Sequence, residues 1–145
     1  MITGRIIKAI SGFFYVLYND QIISCTGRGI LKKNDQTPLV GDWVEFTMTD
    51  ETAMEGVLES VRPRKNVLVR PPVSNVDQVL LVFSYSHPAP NYVLLDRMLM
   101  MAEHQFLTVL ICFNKDDLTD EGTDRSLADA YRKMGYRVLD TSAAN

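Results

Sequence analysis

Residues 107–117 read Leu107-Thr108-Val109-Leu110-Ile111-Cys112-Phe113-Asn114-Lys115-Asp116-Asp117. The apolar run 107–113 predicts a buried strand that enters a polar loop without a break. Downstream, Leu127, Ala130, Tyr131 and Met134 fall at i, i+3, i+4 and i+7, which predicts a helix over 124–134. Gly135 stops it, with Arg132 and Lys133 in its last turn. Residues 136–140 read as another strand, followed by Thr141-Ser142-Ala143. Upstream, 79–83 is a continuous apolar run, the pattern of a strand covered on both faces. Pro88, Pro90 and Asn91 then introduce a helix over 92–105, with Leu95, Met98, Leu99, Ala102 and Phe106 along one stripe. Strand, helix, strand, helix, strand means a parallel sheet with right-handed crossovers. Ligands of such sheets bind beyond the carboxyl ends of the strands, where 114–117 and 141–143 both sit.

The chemistry of the first loop is specific. Asn114-Lys115-Asp116-Asp117 fits the Asn-Lys-x-Asp pattern with which GTP-binding proteins tell guanine from other bases. Guanine presents two adjacent N–H donors on its pairing edge, and the Asp117 carboxylate offers two acceptors at matching separation. Adenine would set a lone pair against that carboxylate. Asn114 can bond a ring nitrogen of the base, and the Lys115 stem can lie flat over it with its ammonium in water. A strand-to-helix turn whose acids suit a helix N-terminus would also explain these residues. The second loop weighs against that reading. GTP-binding proteins carry a Ser-Ala loop one helix and one strand later, where Ser142 and Ala143 stand, and its backbone N–H groups approach the exocyclic oxygen of guanine.

Bulk properties are those of an ordinary globular chain: 145 residues, 46% hydrophobic, net charge −3. Residues 1–75 carry nine Lys or Arg against eight Asp or Glu, and 76–145 carry six against ten. That asymmetry suggests two units, and the global charge does not advertise nucleic-acid binding. Cys25 and Cys112 lie far apart beside apolar strands and read as buried free thiols, which fits a reducing cytoplasm. No apolar run approaches the roughly 20 residues that span a bilayer.

The first half reads all-β. Strands are predicted over 2–10, 13–18, 21–25, 41–48 and 55–61, with Asn19-Asp20 as a hairpin turn. Val44, Phe46 and Met48 alternate with Glu45 and Thr47, so the pleat sends the first set inward. Five short strands in about sixty residues match a closed barrel, best the five-stranded oligonucleotide-binding (OB) fold, although pattern alone does not separate it from other small barrels. Residues 62–75, with Arg62-Pro63-Arg64-Lys65 and Arg70-Pro71-Pro72, read as a stiff, exposed connector. The domains expected are 1–70, a barrel facing RNA, and 71–145, a partial α/β nucleotide domain.

A GTPase also needs the phosphate loop GxxxxGK[ST], and none of the eight glycines here is followed by Lys. Either the chain is not a GTPase, or its motifs are permuted and the phosphate loop comes after Ser142-Ala143. The barrel with Gly41-Asp42-Trp43-Val44, the Val76-Asp77-Gln78 entry, Leu94-Leu95-Asp96-Arg97, Asn114-Lys115-x-Asp117 and Thr141-Ser142-Ala143 together resemble the circularly permuted, ribosome small-subunit-dependent GTPase A family of bacteria. The resemblance covers essentially the whole chain, which looks like the first half of such a protein. It implies a factor in late maturation of the small (30S) subunit, with 16S rRNA as partner and GTP or GDP with Mg²⁺ as ligand. It further implies hydrolysis stimulated by the subunit, and a C-terminal zinc domain whose ligands lie outside this chain. It implies a monomer at full length, while the bare sheet of the segment favours self-association. Asn114, Lys115, Asp116 and Asp117 carry over as the guanine loop, with Ser142 and Ala143. No catalytic or metal residue carries over, so negligible turnover is expected of 1–145 alone.

Candidate rRNA phosphate contacts are Arg5, Lys8, Arg28, Lys32, Lys33, Arg64 and Lys65, with Arg62 and Arg70 beside them, and Phe13, Phe14, Tyr15 and Tyr18 could stack bases. Solvated surface charge and barrel core explain the same residues. Trp43 is out of phase with Val44 and Phe46 and reads as outward or as a barrel end seal. A non-catalytic OB-fold RNA-binding module with a nucleotide-domain-like appendage is the alternative reading of the whole.

Overall fold

The computed structural model describes residues 1–27 and 37–144, and the chain forms two compact units, Met1–Val76 and Asp77–Asn145. The first is built on strands β1 (Ile2–Ile10), β2 (Phe13–Tyr18), β3 (Gln21–Thr26), β4 (Trp43–Asp50) and β5 (Glu55–Val61). They close in the order β1-β2-β3-β5-β4, with β4 returning to β1 and β3 parallel to β5, as the OB reading expects. Asn19 and Asp20 both take positive φ, the conformation a two-residue hairpin turn demands.

Alternation fills the barrel. Ile6, Phe14, Val16, Ile23, Cys25, Val44, Phe46 and Leu58 form its core, each fully buried large side chain contributing about 1.5–3 kcal/mol. A β-bulge between Ile6 and Lys8 leaves Ile7 as the extra residue and shifts the phase of β1, so that Lys8 as well as Ile7 is exposed and the strand can bend. Gly4 sits where a side chain would collide with Val16 Cγ1, so the close approach of β1 and β2 requires glycine there.

Residues 62–75 are not the exposed connector that their prolines and charge suggest. β6 (Val67–Leu68) and β7 (Val73–Ser74) pair as a small hairpin, and Val73 bridges to Val40. The reason is a buried carboxylate. Asp42 is fully buried, accepts two bonds from Arg64 (Nε, 2.8 Å; Nη2, 2.7 Å), and takes further bonds from Ser74 Oγ (2.5 Å) and the Leu39 N–H (2.7 Å). Asn75 Nδ2 adds a bond to the Gly41 carbonyl. The unit therefore runs through Val76, beyond the boundary at residue 70 drawn from composition.

The second unit contains β8 (Gln78–Ser84), α1 (Tyr92–His104), β9 (Thr108–Asn114), a 3₁₀ turn (Asp116–Leu118), α2 (Ser126–Lys133) and β10 (Arg137–Asp140). The three strands are parallel in the order β10-β9-β8. Right-handed crossovers stepping one way along a sheet put both helices on one face. Leu81, Val109, Ile111 and Phe113 are buried on that side, against Leu95, Leu99 and Ala102 of α1 and Ala128 and Tyr131 of α2. The opposite face is uncovered: Leu80 and Val82 are 57% and 56% exposed. The two-faced cover expected from the run 79–83 is thus present on one side. Phe106, counted in the α1 stripe, stands beyond the helix at φ 54° and is 96% exposed, because the chain turns out of the helix at Gln105.

Candidate functional site

At the carboxyl ends of β9 and β10 the two loops meet. The Asp116 N–H donates to the Thr141 carbonyl (3.0 Å) and the Thr141 N–H to the Phe113 carbonyl (2.9 Å). Side chains repeat the connection. Asn114 Oδ1 accepts from Thr141 Oγ1 (3.1 Å) and from the Ala143 N–H (3.2 Å), and Asp117 Oδ1 accepts from Ser142 Oγ (2.6 Å). Asn114 is half-buried, while Asp117 is exposed and keeps its Oδ2 for another donor. The Asn114 amide NH₂ remains available to an acceptor. An acceptor carboxylate, a donor amide and a short polar loop thus face solvent within one small region.

The chain bends sharply to do this. Lys115 adopts the left-handed conformation (φ 61°, ψ 38°) ahead of the 3₁₀ turn, an arrangement that costs a non-glycine residue on the order of 1 kcal/mol and clusters at functional loops. Its Nζ donates to the His87 carbonyl (2.8 Å). Beside it lies a cleft of about 350 Å³ lined by Ser84, Pro88, Leu94, Asn114 and Lys115. Asp116 turns elsewhere: its Oδ1 accepts from Arg125 Nη2 at 2.6 Å.

Tyr85, Arg125 and Asp140 also reach these loops and were not singled out from sequence. Tyr85 is buried, stacks on Phe113 (4.5 Å, 10°) and donates its hydroxyl to Asp140 Oδ1 (2.5 Å). Burial and the Asp140 carboxylate push its phenol up to about 12, so it stays a donor across the physiological range. The one available signal was position, since Asp140 directly precedes Thr141-Ser142-Ala143.

On the barrel, Lys8 Nζ stands 5.2 Å from the Tyr15 ring centre, and Ile10 and Phe13 are exposed on the same pair of strands. Arg5 lies over the outward Trp43 (5.9 Å) and donates to the Gly41 and Asn75 carbonyls. Arg64 is held in the Asp42 pair with its side chain 14% exposed. Lys65 is exposed, its backbone N–H on Asn75 Oδ1. Phe14 is core, and Tyr18 packs edge-on against Phe46. Arg28, Lys32 and Lys33 lie outside the described residues.

A family model described as RsgA GTPase matches residues 61–145, and one described as RsgA N-terminal domain matches 3–58. The chain belongs to the RsgA GTPase family. Over 142 residues it is 49% identical to the small ribosomal subunit biogenesis GTPase RsgA of Alkaliphilus metalliredigens, covering 98% of this chain and 49% of that protein. The protein of the same name from a Geobacillus species is 47% identical over 145 residues, covering 98% and 49%. The solved structure of YloQ, a circularly permuted GTPase, superposes with a TM-score of 0.75 at 42% identity, over 100% of this chain and 53% of that one. YjeQ from Thermotoga maritima gives 0.77 at 33% identity, over 99% and 52%. The chain spans about half the length of the RsgA relatives it matches.

Proposed function

We propose that this chain is the guanine-reading and RNA-facing portion of a GTPase that assists late maturation of the 30S ribosomal subunit in the cytoplasm. The observation that carries the reading is the convergence of Asp117 and Ser142, with Asn114 bonded across to Ala143. Asp117 accepts both N–H donors of guanine, Asn114 donates to a ring nitrogen, and Lys115 leaves the His87 carbonyl to cover the base. The Ala143 N–H is shared between Asn114 and the exocyclic oxygen. The names of the relatives support the ribosomal role. Among the described residues, no helix is long and apolar enough to cross a membrane.

These residues fit the base and not the rest of the nucleotide. The phosphates and Mg²⁺ supply most charge-assisted contacts in such sites, and the sequence has no GxxxxGK[ST] loop to hold them. Residues 1–145 alone therefore bind guanine nucleotides weakly and turn over negligible GTP. The zinc that the resemblance implies is likewise assigned to ligands outside this segment, and no step here depends on it. For the barrel, the Lys8–Tyr15 pair with exposed Phe13 is the combination that stacks bases while meeting 16S rRNA phosphate.

The test is nucleotide selectivity in the full-length protein, GDP against ADP, wild type against Asp117→Ala. Selective loss of GDP is the expected result. Equal loss of both nucleotides, or none, sinks the assignment.

A further inference from the structure

Each guanine loop hangs on a carboxylate that faces away from the base position. In the first it is Asp116, and in the second Asp140, the residue before Thr141. Asp116 Oδ1 is held by Arg125 Nη2 (2.6 Å), and the same nitrogen donates to Thr119 Oγ1 (2.8 Å). Asp140 is held from both sides, Oδ1 by the Tyr85 hydroxyl (2.5 Å) and Oδ2 by Arg132 Nη2 (2.7 Å).

The two anchors share one residue. The Arg125 guanidinium lies 4.8 Å from the Tyr85 ring centre, and the ring stacks on Phe113, the residue before Asn114. Tyr85 itself follows Ser84, whose Cα partner across the sheet is Asn114. One tyrosine is therefore flanked by Phe113 and Arg125 while its hydroxyl reaches the other loop. Burial of the ring makes the donated bond strong and the ring position fixed.

We propose that Tyr85 and Arg125 are positioning residues for guanine recognition, holding the Asn114–Asp117 loop and the Thr141–Ala143 loop at the separation the base edge requires. This rests on the guanine reading above. Neither residue touches the base. They act on where Asp117 and the Ala143 N–H stand, and recognition of a rigid planar ring tolerates only a fraction of an ångström of slip. Arg125 preorganises the first loop through Asp116. Tyr85 transmits that position to the second loop through Asp140.

The experiment uses full-length protein and four variants: Tyr85→Phe, Arg125→Ala, Asp116→Ala and the double variant of the last two, with Asp117→Ala as reference. GDP and ADP affinities, GTPase KM and kcat, and Tm are measured for each. Tyr85→Phe keeps the ring and removes only the hydroxyl, so it serves even if Arg125→Ala folds poorly. Tyr85→Phe and Arg125→Ala are expected to weaken GDP about fivefold to twentyfold, with ADP unchanged, KM raised and kcat at saturation retained. The double variant is expected to lose no more GDP affinity than either single change. If Asp117→Ala loses GDP while Tyr85→Phe and Arg125→Ala keep wild-type GDP affinity and KM, with only Tm lowered, the positioning role is overturned. If Asp117→Ala itself keeps GDP, the guanine reading fails, and this proposal fails with it.

Discussion

The Ser142 hydroxyl donates to Asp117 Oδ1 across 2.6 Å, joining two loops that lie 25 residues apart in sequence. A hydroxyl on one carboxylate oxygen fixes the rotation of the carboxyl plane and still leaves acceptor capacity on both oxygens. Two parallel acceptors held in that way match two parallel donors, which is what the proposed guanine reading requires.

Changing Asp117 to Asn replaces one of those acceptors with an NH₂ donor. Xanthine differs from guanine in presenting a carbonyl where guanine has its exocyclic amine. In the full-length protein, Asp117→Asn is therefore expected to lose GDP by about tenfold to a hundredfold and to gain affinity for xanthosine diphosphate. Competition between the two nucleotides measures it, and a variant that still prefers GDP contradicts the base-edge assignment.

In the barrel, Arg64→Ala leaves the buried Asp42 carboxylate without its cation. Removing one partner of a buried ion pair costs about 3–5 kcal/mol, so the barrel unit is expected to melt much earlier by circular dichroism. Burial works against the Asp42 charge, but the bonds from Arg64, Ser74 and the Leu39 N–H outweigh it and hold the carboxyl below its ordinary value. A depressed folded-state value means this stabilisation is complete above the unfolded carboxyl pKa of about 4 and is lost as pH falls through the folded value. Asp42→Asn should accordingly flatten the acid limb of the stability curve below about pH 4. A wild-type acid limb in that variant would show that Asp42 does not govern it.

What the sequence made legible was local or carried by fixed spacings. The alternation of Val44 and Phe46 with Glu45 placed a strand with its correct inward face, and the order of strands and helices put residues 114–117 and 141–143 at the carboxyl ends of neighbouring parallel strands, where they meet. Cross-chain partners were invisible. Arg64 looked like a phosphate ligand because sequence shows a charge and not the aspartate 22 residues away that holds it. The prolines and charges of 62–75 read as an exposed connector; Pro71 and Pro72 in fact fall in the turn between β6 and β7, and nothing in the composition showed that Ser74 and Asn75 fasten the hairpin to Asp42 and Gly41. Phe106 matched the helical period, yet periodicity cannot see the turn at Gln105. Tyr85 and Asp140, 55 residues apart, meet only once the sheet forms.

If the Lys8–Tyr15 pair meets RNA, its two parts separate by salt. Lys8→Ala is expected to weaken binding of the full-length protein to small-subunit rRNA and to reduce the log–log salt slope by about one. Tyr15→Ala is expected to cost about 1–3 kcal/mol of stacking with the slope unchanged. Filter binding across a salt series distinguishes them, and a slope unaffected by Lys8→Ala removes that residue as a phosphate contact.

The uncovered sheet face makes a prediction about this segment in isolation. Strand register puts Leu80 and Leu110 together, then Val82, Cys112 and Leu139, all on the side away from α1 and α2. Parallel sheets are normally covered on both sides, because a half-covered one leaves its apolar residues in water. Among the described residues β8 is also an edge strand, with backbone groups left unpaired on one side along a strand whose outward residues are aliphatic. Residues 1–145 in solution are therefore expected to self-associate with rising concentration and to bind a hydrophobic dye. Placing charges there by Leu80→Lys with Val82→Lys should suppress both while leaving the helix-covered core, centred on Ile111 and Phe113, folded. Analytical ultracentrifugation of the two proteins decides it: a wild-type segment that sediments as a monomer at high concentration would mean that this face does not drive association.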